Sequence, residues 1–346
     1  METSKVKQLN VNLVKAILKT MPGKTKFDIA MATGLSQATC NTILNELVST
    51  GEVLELEQEA FGGGRPAKRF MYNGDYGMVI CLYLDNDSNK PVVSYAVVNL
   101  LGVVKEELTI RKESVDYNTI EDLIGELIAK YNNVKAAAIG IPGIVIQRQI
   151  IDICDIKSLV NCPMAEKLQD KFGKKVSLEN DMNLTSLGYY QQHGYTKDTS
   201  VVVINFLNDN CPGSGIIIDG KIISGYTNFA GEISYLPFGS NTPTLRNPQE
   251  VIERVVATIC SITAIINPET IMVTGGLITE DMIEEIRSSC IKIIPERHMP
   301  NIVYRRNIHD YYIKGLTAMA FESLLDPLTT INKKFNNTKE LLWLHT

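Results

Sequence analysis

Apolar positions in the first seventy residues recur at helical spacing and then switch to alternation. Residues 6–21 place Leu9, Leu13, Val14, Ile17 and Leu18 on one face, and Pro22-Gly23 stops the run. Thr25 reads as the N-cap of a second helix, with Asp28 in the capping-box position, Phe27, Ile29, Ala30 and Met31 as its apolar residues, and Gly34 at its end. Ser36 caps a third helix, SQATCNTILNELVSTG, which is expected to bury Ala38, Ile43, Leu44 and Leu47. Two short helices joined across Thr33-Gly34-Leu35-Ser36, with Leu35 locking them together, make a helix-turn-helix pattern. Val53-Leu54-Glu55-Leu56-Glu57 then alternates as a strand. FGGGRPAKRFMYN supplies a glycine turn, Arg65-Pro66 and a return strand with Lys68 and Arg69: a β-hairpin wing.

From Met78 the pattern becomes strands alternating with helices. Strands are expected over Met78–Leu84, Val92–Val98, Val134–Ile141, Val201–Phe206, Gly215–Ile218 and Thr270–Val273. Helices are expected over Thr119–Tyr131, Pro163–Phe172, Asn183–Gln192, Gln249–Ile266, Glu280–Cys290 and Tyr311–Leu325. This is α/β architecture. Its opening, two strands, then Asn99-Leu100-Leu101-Gly102 and a third strand, reads as an antiparallel meander that starts a mixed sheet.

Length and composition fit this picture. The 346 residues are 45% hydrophobic and 21% charged, enough for two or three domains with cores of their own. No apolar run is long enough for a membrane span, and the polar start METSKVKQLN is not a secretory signal. A cytoplasmic protein is expected. Seven scattered cysteines with no CxxC pair read as reduced thiols and argue against structural zinc, so no metal or cofactor is expected. The net charge of −5 gives no global sign of nucleic acid, and residues 1–76 hold nine Lys/Arg against eight Asp/Glu. Any positive surface must therefore be local. The third helix points Gln37, Thr39, Asn41, Thr42 and Asn45 outward, uncharged hydrogen-bonding side chains suited to base edges in a major groove, with Ala38 beside them among the expected DNA contacts. Arg65, Lys68 and Arg69 on the wing, with Lys24 and Lys26, fall where phosphates would pass. A helical protein-interaction domain with a polar face is the alternative for this segment.

Taken in order, the wing, GGRPAK, the meander, GIPG, END, GIIIDGKIISG, AGEI and GG resemble the ROK family of repressors, open reading frames and kinases over about residues 8–326. Within it the chain resembles the NagC/XylR-type repressor branch. The resemblance implies a winged helix-turn-helix (1–74) followed by an actin-like, ribonuclease H-like sugar-kinase domain (77–330). That domain would have two lobes, a hinge near 178–183, a C-terminal helix 311–325 returning to the first lobe, and a tail 331–346. It also implies a sugar cleft lined by Gly143, Asn180, Asp181 and Glu232, with Asp181 as the general base if the chain were a kinase.

The chain departs from that pattern. Tyr235 stands where the family has a His serving sugar and zinc, and LPFGSNTPTLRNPQE (236–250) has neither Cys nor His. LDNDSNK (84–90) replaces a glycine-rich phosphate loop, bringing two aspartates and no glycine, and NDNCPGSG (208–215) replaces a second, with Pro212 and Asp209 working against phosphate. Only Gly275-Gly276 matches on the adenosine side. Phosphoryl transfer without a phosphate cradle loses the positioning that supplies most of its catalysis. The expectation is a non-enzymatic repressor of carbohydrate genes that binds a double-stranded operator as a homodimer or homotetramer. Its sugar or sugar-phosphate effector would contact Gly143, Asn180, Asp181, Glu232 and Tyr235. An ATP-dependent sugar kinase and an effector-independent DNA-binding or oligomerisation protein remain the alternatives.

Overall fold

Local capping chemistry sets the first elements. In the computed structural model, which describes residues 2–56, 67–87, 90–196, 198–207, 212–237 and 247–325, the Thr25 hydroxyl accepts from the Asp28 N–H at 3.2 Å. The Asp28 carboxylate accepts from the Thr25 N–H at 2.9 Å in return. This box opens α2 (Lys26–Thr33), which ends on Gly34 at φ 70°. Ser36 caps α3 (Gln37–Ser49) through the Thr39 N–H at 3.1 Å. Helix α1 (Glu2–Thr20) packs on both. Strands β1 (Lys24–Thr25), β2 (Val53–Leu56) and β3 (Arg69–Tyr72) close this head as an antiparallel sheet ordered β1-β3-β2. The wing tip with Arg65 and the tail 331–346 lie outside the described residues.

One expected core position of the head, Ala38, is corrected, and three of the apolar residues that mark its helices face outward as well. Phe27 is 57% exposed and Met31 71% exposed, Ala38 is exposed, and Leu9 is 37% exposed. The reason is helical phase. Residues two apart differ by roughly 200° around a helix, so burial of Ile29 turns Phe27 and Met31 outward, and burial of Cys40 with Ile43, Leu44 and Leu47 turns Ala38 outward. On α1, Val11 takes the inward place that Leu9 does not.

The rest of the chain builds two five-stranded sheets on one plan. In the first, β4 (Met78–Asp87), β5 (Lys90–Asn99) and β6 (Val104–Arg111) form the expected antiparallel meander. After α4 (Tyr117–Lys130), β7 (Val134–Ile141) pairs parallel with β4. A hairpin of β8 (Gly143–Ile146) and β9 (Ile150–Cys154) and helix α5 (Met164–Phe172) lead to β10 (Lys175–Asn180), parallel to β7. In the second sheet β11 (Ser200–Asn205), β12 (Gly213–Ile218) and β13 (Lys221–Ile222) are antiparallel. Helices α7 (Pro248–Ile265) and α8 (Met282–Ile291) then connect to β14 (Thr270–Thr274) and β15 (Asn301–Tyr304), both parallel to β11. The orders β10-β7-β4-β5-β6 and β13-β12-β11-β14-β15 are the same topology twice.

Between the sheets run α6 (Asp181–Gln192) and α9 (His309–Leu324). They cross with almost no separation: a Cβ added at Gly188 would lie 1.8 Å from the Tyr311 carbonyl, and one at Gly315 2.0 Å from that of Leu184. Helix α9 reaches further. Its Leu316, Met319 and Ala320 belong to one buried cluster with Val14, Leu18, Phe70 and Tyr72 of the head. At that junction the Lys19 ammonium lies 4.6 Å from the Tyr72 ring centroid and 5.7 Å from that of Phe321, and burial holds its pKa below the usual lysine range. Among the described residues no helix is long and apolar enough to cross a membrane.

Candidate interlobe site and the outer face of the head

Strand β10 ends where α6 begins, and this junction sets Asn180 and Asp181 side by side. Asn180 is the N-cap of α6: its Oδ1 accepts from the Asn183 N–H at 2.9 Å. Its Nδ2 donates to the Gly143 carbonyl, also at 2.9 Å. Asn180 is thus tied to the GIPG loop as well as capping the helix. Gly143 sits at φ 156°, and a Cβ there would lie 2.0 Å from the Ile153 carbonyl, so only glycine lets the loop pass β9 this closely.

Asp181 faces the cleft with one carboxylate oxygen accepting from the Met182 N–H at 2.8 Å. Burial pushes its pKa up to about 8; the Met182 N–H works against this, and the charges of Asp85, Glu232 and Asp155 add to it. A carboxyl so placed is largely protonated at neutral pH and can donate a hydrogen bond. Glu232 is raised by burial and by Asp155. Asp155 is itself raised by burial, with Lys157 pulling it down and Asp85 pushing it up. Four carboxyls therefore share one electrostatic neighbourhood, and Asp155 was not among the residues expected from the sequence. Tyr235 is 57% exposed and meets Phe229 edge-on at 4.9 Å between centroids.

A cavity of about 670 Å³ among the described residues lies toward the second sheet. Of the five residues expected to contact an effector, only Asp181 lines it; Gly143, Asn180, Glu232 and Tyr235 do not. The rest of its wall includes Tyr83 and Asp85 on β4, Asn205 at the end of β11, Thr274 at the end of β14, Gly275-Gly276, and His309 and Tyr312 on α9. Asn205 and Thr274 are register partners at the carboxyl ends of parallel strands, where open α/β sheets present ligand sites. That position was the available signal for these two. His309 is held by the Tyr83 hydroxyl at 2.8 Å and by Glu107.

The stretch expected to be a failed phosphate loop, LDNDSNK (84–90), has its described flanks in paired strands, with 88–89 outside the described residues. Strands β4 and β5 pair as far as Asp87 with Lys90, which engages backbone in the ladder instead of opening it to a ligand. Residues 208–211 of the second loop, and 238–246 of the segment replacing the zinc loop, lie outside the described residues.

On the head, Gln37, Ala38, Thr42 and Asn45 are exposed and Thr39 and Asn41 half-buried. The Thr39 hydroxyl contacts Ser36 at 2.9 Å, the Thr42 hydroxyl donates to the Ala38 carbonyl at 3.1 Å, and the Asn41 side-chain Oδ1 accepts from the Lys26 ammonium. On the wing strands Lys68 pairs with Glu55 at 2.7 Å, and Arg69 donates to the Gly23 carbonyl at 2.9 Å. Both remain exposed.

A sequence profile of the ROK family matches residues 93–245. The xylose repressor of Caldicellulosiruptor bescii is 29% identical over 65% of this chain and 60% of its own length. The N-acetyl-D-glucosamine kinase of Histophilus somni is 30% identical over 45% of this chain and 52% of its own. The chain thus spans about three fifths of the repressors it matches. Among solved structures, a ROK family transcriptional regulator that is a homologue of the E. coli MLC protein superposes with a TM-score of 0.64 at 19% identity, over 91% of this chain and 98% of that one. A ROK family glucokinase from Streptomyces griseus, in complex with glucose and AMPPNP, gives 0.57 at 16% identity over 71% of this chain and all of its own. These likenesses give the fold of the two-sheet body as the ROK sugar-kinase-like fold.

Proposed function

We propose that this chain, a member of the ROK family, is a cytoplasmic transcription repressor whose kinase-like body senses a sugar and transfers no phosphate. On this reading residues 1–74 are a winged helix-turn-helix and residues 77–330 the sensor. Helix α3 enters the major groove with Gln37, Thr39, Asn41, Thr42 and Asn45, with Ala38 packing on a base or sugar edge. Arg65, Lys68 and Arg69 follow the phosphate backbone. A homodimer reading an inverted repeat is the matching geometry.

One observation carries the proposal: α9 is continuous from the cavity to the head. Its first turns present His309 and Tyr312 to the cavity, and its last turns share a core with α1 and β3. Sixteen residues of helix span roughly 24 Å, so a ligand that shifts the first end moves what the head rests on. The repressor relatives support the same assignment.

Mobility-shift titration of the full chain against a selected operator tests it. Binding at low salt that weakens with salt, and that an unphosphorylated sugar modulates, is expected. A chain that ignores duplex DNA at low salt refutes it. The kinase relatives motivate one rival, which a coupled ATPase assay with a sugar panel decides: turnover abolished by Asp181→Asn would make the chain an enzyme.

A further inference from the structure

The β8–β9 hairpin touches the cleft at its base and the head end of α9 at its tip. At the base, the Gly143 carbonyl accepts from Asn180 Nδ2 at 2.9 Å, Gly143 pairs in register with Cys154, and the Asp155 N–H donates to the Pro142 carbonyl at 3.2 Å. At the tip, Arg148 Nη1 meets Glu322 Oε2 of α9 at 2.9 Å, and Arg148 Nε lies 3.6 Å from Glu179 Oε2. Glu179 is buried, and its other oxygen accepts from the Asn180 N–H at 2.9 Å and from Asn183 Nδ2 at 3.0 Å. Beside Glu322, Phe321 and Leu324 pack on the cluster that holds the core of the head.

The tip is strained. Its turn closes with the Gln149 N–H donating to the Ile146 carbonyl at 3.0 Å, and the two central residues, Gln147 and Arg148, have φ of 51° and 58°. Turns of this kind select Asn and Gly, which enter that region with little strain. Stability does not explain an arginine there. Its bridge to Glu322 joins side chains 43% and 56% exposed, and exposed ion pairs contribute little. Lys175 already holds the same turn of α9, donating to the Ser323 carbonyl at 2.7 Å. A strained residue that its surroundings keep in place points to a task other than stability.

We propose that the hairpin is a lever, with Arg148 the positioning residue that joins the cleft to the head end of α9. A shift of Gly143 or Asn180 moves the base, the strands carry it over roughly 13 Å, and Arg148 passes it to Glu322 beside the head. This deepens the sensor reading, and rests on it, by adding a route separate from His309 and Tyr312 at the other end of the helix.

The test compares the wild-type chain with Arg148→Gly, which relieves the turn and removes the side chain, and with Glu322→Gln, which leaves the turn alone. The melting temperature of Arg148→Gly holds or rises. In mobility shifts, the change in operator affinity caused by D-xylose, the sugar for which the repressor relatives are named, falls about threefold or more in both variants. Xylose affinity, read by calorimetry, holds. Hydrogen exchange on the unliganded chain decides the lever without any sugar. Asn180→Ser keeps a capping oxygen for α6 but loses the amide that donates to Gly143. It speeds exchange in the last turn of α9 about threefold and adds nothing in the Arg148→Gly background. The proposal is overturned if Asn180→Ser leaves exchange in α9 unchanged, if its effect persists undiminished in Arg148→Gly, or if a sugar response survives both variants at full size. A chain with the expected exchange pattern whose operator affinity no sugar moves keeps the lever and refutes the sensor.

Discussion

Replacing Asp181 by Asn should stabilise the unliganded protein at neutral pH and flatten its pH profile. The side chain keeps its shape and an oxygen for the Met182 N–H, but no longer has to lose a proton in a buried place. Its pKa rises from an ordinary 3.8 to about 8 on folding, so between those values the folded chain holds a proton that the unfolded chain releases. The stability linked to that proton is complete below about pH 4 and is lost as pH climbs to about pH 8. At 1.36 kcal/mol per pH unit the gap caps the loss at roughly 5–6 kcal/mol. One side of the carboxyl opens to the cleft, so solvent screening reduces this to about 2–3 kcal/mol. Urea denaturation followed by circular dichroism across that range supplies the comparison. Glu232 and Asp155 are raised too, so the wild-type curve alone does not isolate Asp181; the difference between the two proteins does. Equal slopes for wild type and Asp181→Asn would mean that Asp181 titrates as an ordinary exposed acid, and the electrostatic account of the cleft would fall.

Gly315→Ala puts a methyl 2.0 Å from the Leu184 carbonyl; forcing α6 and α9 apart should cost about 1–3 kcal/mol, read as a lower melting temperature with a blunted sugar response on DNA. Thr25→Ala removes half of the α2 capping box and should cost about 1 kcal/mol, seen as earlier unfolding of the head. In mobility shifts, Gln37→Ala and Asn45→Ala should relax sequence preference by about 1–3 kcal/mol at unchanged salt slope, whereas Lys68→Ala and Arg69→Ala should each reduce the slope by about one. A salt slope untouched by the wing substitutions would remove the wing from the interface.

Much of the fold was legible because local chemistry agrees with the tertiary result. Thr25, Gly34 and Ser36 do what their types do at helix ends, and the strand over Val134–Ile141 is found with the expected bounds. The errors have one cause. Apolar type suggests an inward place for Ala38, but Ala38, like Phe27 and Met31, is out of phase with the residues that pack. The candidate site was half legible. Family order pointed to Asn180 and Asp181, yet Asn180 spends its amide on a cap and a loop. Tyr312 was hidden for a different reason. Its part depends on the crossing of α6 and α9, far apart in sequence, and nothing near position 312 signals it. Asp155 follows a hairpin that the periodicity did not reveal.

The two halves of the proposal constrain each other through energy. A ligand shifts a conformational equilibrium only by its differential affinity for the two states, so a sensor must hold groups that the ligand satisfies in one state and not in the other. Helix α9 lines the cavity with His309 and Tyr312 at one end and packs Leu316, Met319 and Ala320 into the core of the head at the other. A ligand that meets the first turns of α9 in one state only is therefore the kind that converts occupancy into movement, and one that meets the second sheet alone does not. His309→Gln should accordingly weaken the sugar response on DNA by more than its loss of sugar affinity accounts for, with mobility shifts and calorimetry on the same preparations giving the comparison; a response that falls only in proportion to affinity would remove α9 from the coupling.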